Sequence, residues 1–204
     1  MEAQPKCNLI IDSCCDLPFE VVDRPGVQLL EFPYIDEKGE HSDDLYRTVT
    51  PHEFYEGMRA GSQPSTAQVP VTVFHDVFSK AIESGVPTVY LSFTSGLSGS
   101  FNTAVMMRDQ LIAEHPEAEL YVVDTYLASV AEALLVYEAL NQRDNGMTAR
   151  ELAAWAEEAR YFVDAEFMVD DLESLRRGGR IPSTVAYAGA KLDVKPLLNI
   201  SIEG

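Results

Sequence analysis

The sequence predicts an α/β fold, in which a parallel sheet carries helices on both faces and a second α/β lobe follows. Three observations lead there. Four short apolar runs, at residues 7–11, 27–34, 86–93 and 120–124, have the length and β-branched content of buried strands. Segments with apolar residues at helical spacing lie between them, and such alternation implies a parallel sheet covered on both sides. From Tyr161 onward the pattern changes, which divides the chain into an N-terminal lobe, 1–160, and the start of a second lobe, 161–204.

Residues 7–11 form the first strand, ended by Asp12, Ser13, Cys14, Cys15 and Asp16. Asp16 is placed to cap a short helix that has Pro18 in its first turn. Residues 27–34 form the second strand, 36–39 a turn, and the acidic stretch 37–44 an exposed loop. Thr50 caps a helix that opens with Pro51 and runs through Phe54, Tyr55 and Met58 to Gly61. After the polar turn 61–70, the next helix starts near Val71 or Thr72, with Phe74, Val77, Phe78 and Ile82 on one side. Gly85 closes it.

The third strand, 86–93, ends in Thr94-Ser-Gly-Leu-Ser-Gly-Ser100, and a helix through Ala104, Leu111 and Ile112 stops before His115-Pro116. Residues 120–124 are a strand with an aspartate at its end. A long apolar helix over 127–140 and a more polar one over 148–160, capped by Thr148, complete the first lobe. Beyond it the pattern gives a strand over 161–169, a short helix over 170–176, a basic turn over 177–180, a small-residue helix over 184–190 and a strand from Lys195.

Bulk composition narrows the function. Net charge is −18, so the long-range field repels nucleic acid and anionic membrane surfaces. The N-terminal residues carry no secretory pattern and no run is long enough to span a bilayer, which gives a cytoplasmic expectation. Three cysteines, two of them adjacent, fit neither a disulfide framework nor a zinc spacing. Metal binding by Asp43-Asp44 or Asp170-Asp171 has nothing more to recommend it than the acidity of the chain.

In a parallel sheet, ligands bind outside the carboxyl ends of the strands. Ser13, Thr66, Ser95, Ser98 and Thr125 all fall in loops at or near that edge. The turn Thr94, Ser95, Gly96, Leu97, Ser98, Gly99 is a candidate anion seat, because glycines allow close backbone approach and the following helix presents free N–H groups. The other reading is that these hydroxyls simply cap helices. A serine nucleophile is disfavoured: Gly96-Leu-Ser-Gly-Ser100 lacks the last glycine of the elbow, and no histidine lies in a triad context. Walker and Gly-x-Gly-x-x-Gly sequences are absent, so no nucleotide cofactor is expected. Arg176, Arg177 and Arg180 are either a surface turn balancing nearby acids or an anion grip directed by Gly178 and Gly179.

Several motifs in order resemble the DegV family of bacterial fatty-acid-binding proteins. They are Ile11-Asp-Ser-Cys-Cys-Asp-Leu-Pro18, Ser65-Thr-Ala-Gln-Val-Pro70, Ser95-Gly-Leu-Ser-Gly-Ser-Phe-Asn-Thr-Ala104, Asp124-Thr125 with Ala128-Ser129, and Leu175-Arg-Arg-Gly-Gly-Arg-Ile181 followed by Lys195-Pro196. The resemblance implies a two-lobed α/β protein holding one long-chain fatty acid between its lobes. It places the acyl carboxylate on hydroxyls at Thr66 and in the 95–98 turn, and Arg180 near the head group or its phosphate. It further implies a carrier without catalysis of its own, presenting the acyl group to a separate ATP-dependent fatty acid kinase that makes acyl phosphate. The chain departs from the family at Ala131 and Ala133, where glycines are usual, and an effect on the acyl tunnel is expected there. Family members also continue beyond the point corresponding to Gly204, so the second lobe is expected to be incomplete. An enzyme acting on a small carboxylated or phosphorylated metabolite in the same crevice, and a protein-interaction module working through the acidic surface, are the alternatives.

Overall fold

A computed structural model describes residues 5–169, 172–184 and 195–200. In chain order the elements are β1 (Asn8–Asp12), a 3-10 turn (Ser13–Cys15), α1 (Phe19–Val22), β2 (Val27–Leu30), β3 (Pro33–Asp36), β4 (Gly39–Ser42), α2 (Pro51–Arg59), β5 (Ser65–Thr66) and α3 (Val71–Glu83). There follow β6 (Thr88–Ser92), α4 (Ser100–Glu114), β7 (Leu120–Asp124), α5 (Ser129–Asp144), α6 (Ala149–Ala159), a second 3-10 turn (Arg160–Phe162), β8 (Glu166–Phe167), α7 (Glu173–Arg177) and β9 (Leu198–Asn199).

The main sheet has the order β2-β1-β6-β7, with every pair parallel. Alternation of side chains along each strand sends them into two separate cores. Leu9, Ile11, Val89, Leu91 and Val123 pack against Val136, Leu140 and Leu152 of α5 and α6. Ile10 and Tyr90 pack on the opposite face against Phe74, Phe78 and Met107 of α3 and α4. Every residue of β6 is buried, as the uninterrupted apolar run predicts for a central strand. Capping boxes start α2 and α6: Thr50 and Thr148 each accept from the backbone of the glutamate three residues on, and that glutamate's side chain accepts from the cap's own N–H.

Four expectations need correction. The run 27–34 is two strands: β2 ends at Leu30, Ser13 Oγ accepts the N–H of Phe32 at 3.1 Å, and Pro33 opens β3 in a different sheet. The acidic stretch expected to be a loop holds β4, which pairs antiparallel with β3; β5 completes a small sheet of order β4-β3-β5. Charge did not prevent pairing because one edge of the strand faces solvent, while His41 stacks on Tyr34 at 4.9 Å and its Nε2 meets Asp36 at 2.8 Å. The expected strand 161–169 is only Glu166–Phe167, paired antiparallel with β9, since α6 runs directly into the turn Arg160–Phe162. α5 starts at Ser129 rather than Leu127, after a loop in which Tyr126 has φ 58°. The expected helix over 184–190 lies almost wholly outside the described residues, as do Asp170 and Asp171.

Candidate functional site: a cleft at the carboxyl edge of the sheet

Strands β1, β6 and β7 end in Asp12, Ser92 and Asp124, all buried. Their side chains and carbonyls organise the loops that follow. Asp12 Oδ2 accepts from the Phe93 N–H at 2.7 Å and the Tyr90 hydroxyl at 3.2 Å, while its Oδ1 accepts from the Cys14 N–H at 3.1 Å. Asp124 Oδ1 accepts from the N–H groups of Ser95 and Tyr126, each at 3.1 Å. Thr125 donates its hydroxyl to the Ser92 carbonyl at 2.8 Å. The rim is therefore tied to the strand ends by side-chain acceptors rather than by further sheet.

Below the rim Glu132, on α5, is fully buried, and apart from the Asp12 carboxyl beside it, its carboxyl oxygens have no hydrogen-bond partner among the described residues. Burial, reinforced by the neighbouring Asp12 charge, pushes its pKa well above the carboxylate range. Burial also pushes Asp12 up to about 7, against the opposing pull of the Phe93 and Tyr90 donors. The Cys14 and Cys15 thiols are raised by burial as well, which favours their protonated form.

Outside this rim lies a cleft of about 890 Å³ between the sheet edge, the small antiparallel sheet with α2, and the segment 174–180. Phe32, Tyr34, Phe54, Met58, Phe93 and Leu175 give it large apolar surfaces. Acidic groups also reach the wall, at Glu31, Asp43 and Asp44. Arg47 is paired with Glu31 at 3.0 Å, and its N–H and Nε hydrogen-bond to Asp44.

Of the residues expected to bind the ligand, Thr66, Ser98 and Arg180 line this cleft. Thr66 is brought there by pairing with Tyr34 across β5 and β3. Ser98 sits in the turn between β6 and α4, its hydroxyl 3.0 Å from Ser100 Oγ and accepting from the Ser100 N–H at 3.2 Å. Ser100 Oγ in turn accepts from the Val69 N–H at 3.2 Å. A hydroxyl can donate one hydrogen bond, and Ser98 gives its own to Ser100 Oγ, so it becomes a donor to a ligand only by rotating away from Ser100.

The other predicted residues do not line the cleft. Ser13 and Thr94 are fully buried; the first holds Phe32 N–H, and the second accepts from the Gly96 N–H at 3.2 Å. The Ser95 N–H is taken by Asp124. Gly99 packs on Gln68, where a Cβ would stand 2.4 Å from Gln68 Nε2. The free N–H groups expected at the start of α4 are reduced, because that of Ser100 is held by Ser98. Arg180 directs Nε and Nη2 to the Leu97 carbonyl at 3.1 and 2.9 Å. Ala131 and Ala133 lie off the cleft, Ala131 in a separate cluster with Leu127 and Leu135.

Ser100, Asp12, Asp124 and Glu132 were not on the sequence-derived list of site residues. A signal existed for two of them, since Asp12 and Asp124 each close an apolar strand. Glu132 carried a weaker one, a charge inside an otherwise apolar helix. Among the described residues no group of three or more His, Cys, Asp or Glu is placed to hold a metal ion, and no helix is long and apolar enough to cross a membrane.

Comparison with known proteins completes the picture. A family model described as "Uncharacterised protein, DegV family" matches residues 6–203. A DegV domain-containing protein of Clostridium perfringens is 35% identical over 199 residues, covering 98% of this chain and 68% of the relative. One from Lactococcus lactis is 37% identical over 147 residues, covering 72% of this chain and 51% of the relative. Among solved structures, a stearic-acid-binding protein of Eubacterium ventriosum superposes with a TM-score of 0.83 at 26% identity, covering 97% of this chain and 68% of that one. A fatty-acid-binding DegV family protein of Thermus thermophilus gives 0.78 at 28% identity, covering 97% and 69%. The chain thus spans between about half and about two thirds of the length of these proteins. Its parallel sheet flanked by helices is theirs, its motifs match across nearly all of its length, and it belongs to the DegV family.

Proposed function

We propose that this chain binds one long-chain fatty acid in the cleft, with the tail on the aromatic and aliphatic wall, the carboxylate on the hydroxyls of Thr66 and Ser98, and Arg180 near the head group. The observation that carries the reading is the meeting of those donors, from three separate elements, on the wall of one large cleft with extensive apolar surface. The names of the similar structures, which bind stearic or other fatty acids, support it. The division of the chain near residue 160 belongs to the same reading, with the head group lying between the two parts.

The protein acts as a carrier, and the chemistry falls to a separate kinase that converts the presented acyl group to acyl phosphate in the cytoplasm. Ser98 has Ser100 as its partner and no base, which suits a grip better than a nucleophile. Each hydrogen bond to the carboxylate contributes roughly 1.5–3 kcal/mol, and each buried methylene about 0.8 kcal/mol, so the tail supplies most of the affinity and the hydroxyls its head-group selectivity. Native mass spectrometry of protein incubated with palmitate should show a one-to-one complex. Thr66→Val or Ser98→Ala should weaken it about ten-fold. Failure of the unsubstituted protein to retain any fatty acid would remove the proposal.

A further inference from the structure

Residues 34–68 hold most of β3 and all of β4, α2 and β5, and Leu45 is the single buried residue among them. No residue of α2 is buried. The large apolar side chains of the segment, Tyr34, Tyr46, Val49, Phe54 and Met58, line the cleft instead. A segment with so little of its surface out of water is weakly held, and it opens at a lower free energy than the whole protein.

Its ties fall into two groups. Within the segment, Glu37 accepts from the Ser62 hydroxyl at 2.7 Å and from the Gln63 N–H at 3.1 Å. The Tyr34 ring meets those of His41 and Phe54 at 4.9 and 5.6 Å, so the β3-β4 hairpin and α2 form one unit. Toward the rest of the protein the ties gather at one bend, 43–47. Leu45 enters the core that holds Leu91, Leu140 and Leu152. Arg47 pairs with Glu31 at 3.0 Å and lies over the Phe19 ring at 4.0 Å, and the Tyr46 hydroxyl stands 3.5 Å from Asp16 Oδ1.

That bend is strained. Leu45 and Tyr46 take φ 57° and 65° in succession, which is costly for residues that carry side chains. The result is that one side chain enters the core and the next lines the cleft. Asp43 Oδ1 accepts the Leu45 N–H at 3.1 Å, and Asp44 Oδ1 accepts those of Arg47 at 2.9 Å and Thr48 at 3.2 Å. The adjacent aspartates thus build the bend that places Leu45.

We propose that segment 34–68 is a lid, hinged at its two chain ends and pinned to the body by Leu45, and that an acyl chain in the cleft holds it shut. This rests on the fatty-acid reading above. The apolar face of the lid has no core of its own, and a tail lying between it and Phe93 supplies one. Leu45 acts as a positioning residue: opening draws it out of the core.

Hydrogen exchange tests the lid in the unsubstituted protein. Without ligand, the hydrogen-bonded amides of β3, β4 and α2 should exchange at least about ten-fold faster than those of β6, because they open without the rest. Palmitate at about a hundred-fold excess over its dissociation constant should slow them about ten-fold or more. Leu45→Ala should speed them about ten-fold or more, whereas Leu152→Ala, in the same core but outside the lid, should speed β6 and leave the lid unchanged within about two-fold. The lid is overturned if its amides exchange no faster than those of β6 without ligand, if palmitate binds without slowing them, or if the two leucine variants act on them alike. The first two comparisons decide the matter whether or not either variant folds. If native mass spectrometry finds no palmitate bound, it is the fatty-acid reading that fails, and the ligand-free exchange then decides the lid by itself.

Discussion

Glu132→Gln is expected to stabilise this protein, and by an amount that grows with pH. The side chain is fully buried on α5, and the Asp12 carboxyl that it faces is the only hydrogen-bond partner of its oxygens among the described residues. An unfolded chain titrates both carboxyls near pH ~4. In the folded chain Asp12 is pushed up to about 7 and Glu132 well above the carboxylate range, in both cases chiefly by burial. The folded state therefore binds protons more tightly than the unfolded state. Stability from this pair is fully present below about pH 4 and is lost as pH rises through the folded values.

Each pH unit in that window removes at most about 1.4 kcal/mol per retained proton. Across the roughly three units between an ordinary carboxyl and neutrality, the ceiling is on the order of 4 kcal/mol, and relaxation of the site will return part of it. Glutamine has nearly the same shape and no ionisation, and its amide can donate to Asp12. Urea unfolding followed through Trp155, the single tryptophan, measures the difference across a pH series. The variant and the unsubstituted protein should agree near pH ~4.5 and diverge in the variant's favour toward pH ~8. A variant that is less stable by the same amount at every pH would refute the reasoning, because Glu132 would then be holding a contact that depends on its carboxyl.

Two further substitutions probe the scaffold around the cleft. Ser13→Ala leaves the buried Phe32 N–H without its acceptor, so the urea midpoint should fall by the equivalent of about 1–3 kcal/mol. Thr148→Ala removes the cap of α6, whose Leu152 and Ala156 are in the main core; a loss of about 1 kcal/mol in thermal or urea unfolding is expected, with Thr148→Ser recovering most of it.

How much of this was legible beforehand depends on which interaction decides each feature. The buried strands and their helices were readable because burial on both faces demands uninterrupted apolar runs, as in 88–92, and because Thr50 and Thr148 announce helix starts. The split at Leu30 was hidden: it is made by Ser13, distant in sequence, taking the N–H that would have continued the strand. The β4 hairpin was hidden too, since its stability comes from cross-strand stacking of Tyr34 and His41 and not from apolar content. At the site, the chemistry of the 94–100 turn could be read, but not which hydroxyls face outward. Ser13, Thr94 and Ser98 look alike in sequence, and only the packing of the rim decides that the first two turn inward.

The carboxyl rim has one more consequence. Loops at a sheet edge are commonly the mobile part of an α/β protein, yet here the segments after β1, β6 and β7 are each held by Asp12, Asp124 or Thr125. A ligand entering the cleft meets a wall that is already ordered and so surrenders little protein entropy on binding. The conformational cost then falls on the ligand's own rotatable bonds. On the proposed reading, this rim should favour, among acyl chains of equal length, those already restricted by a double bond or a branch whose shape follows the cleft.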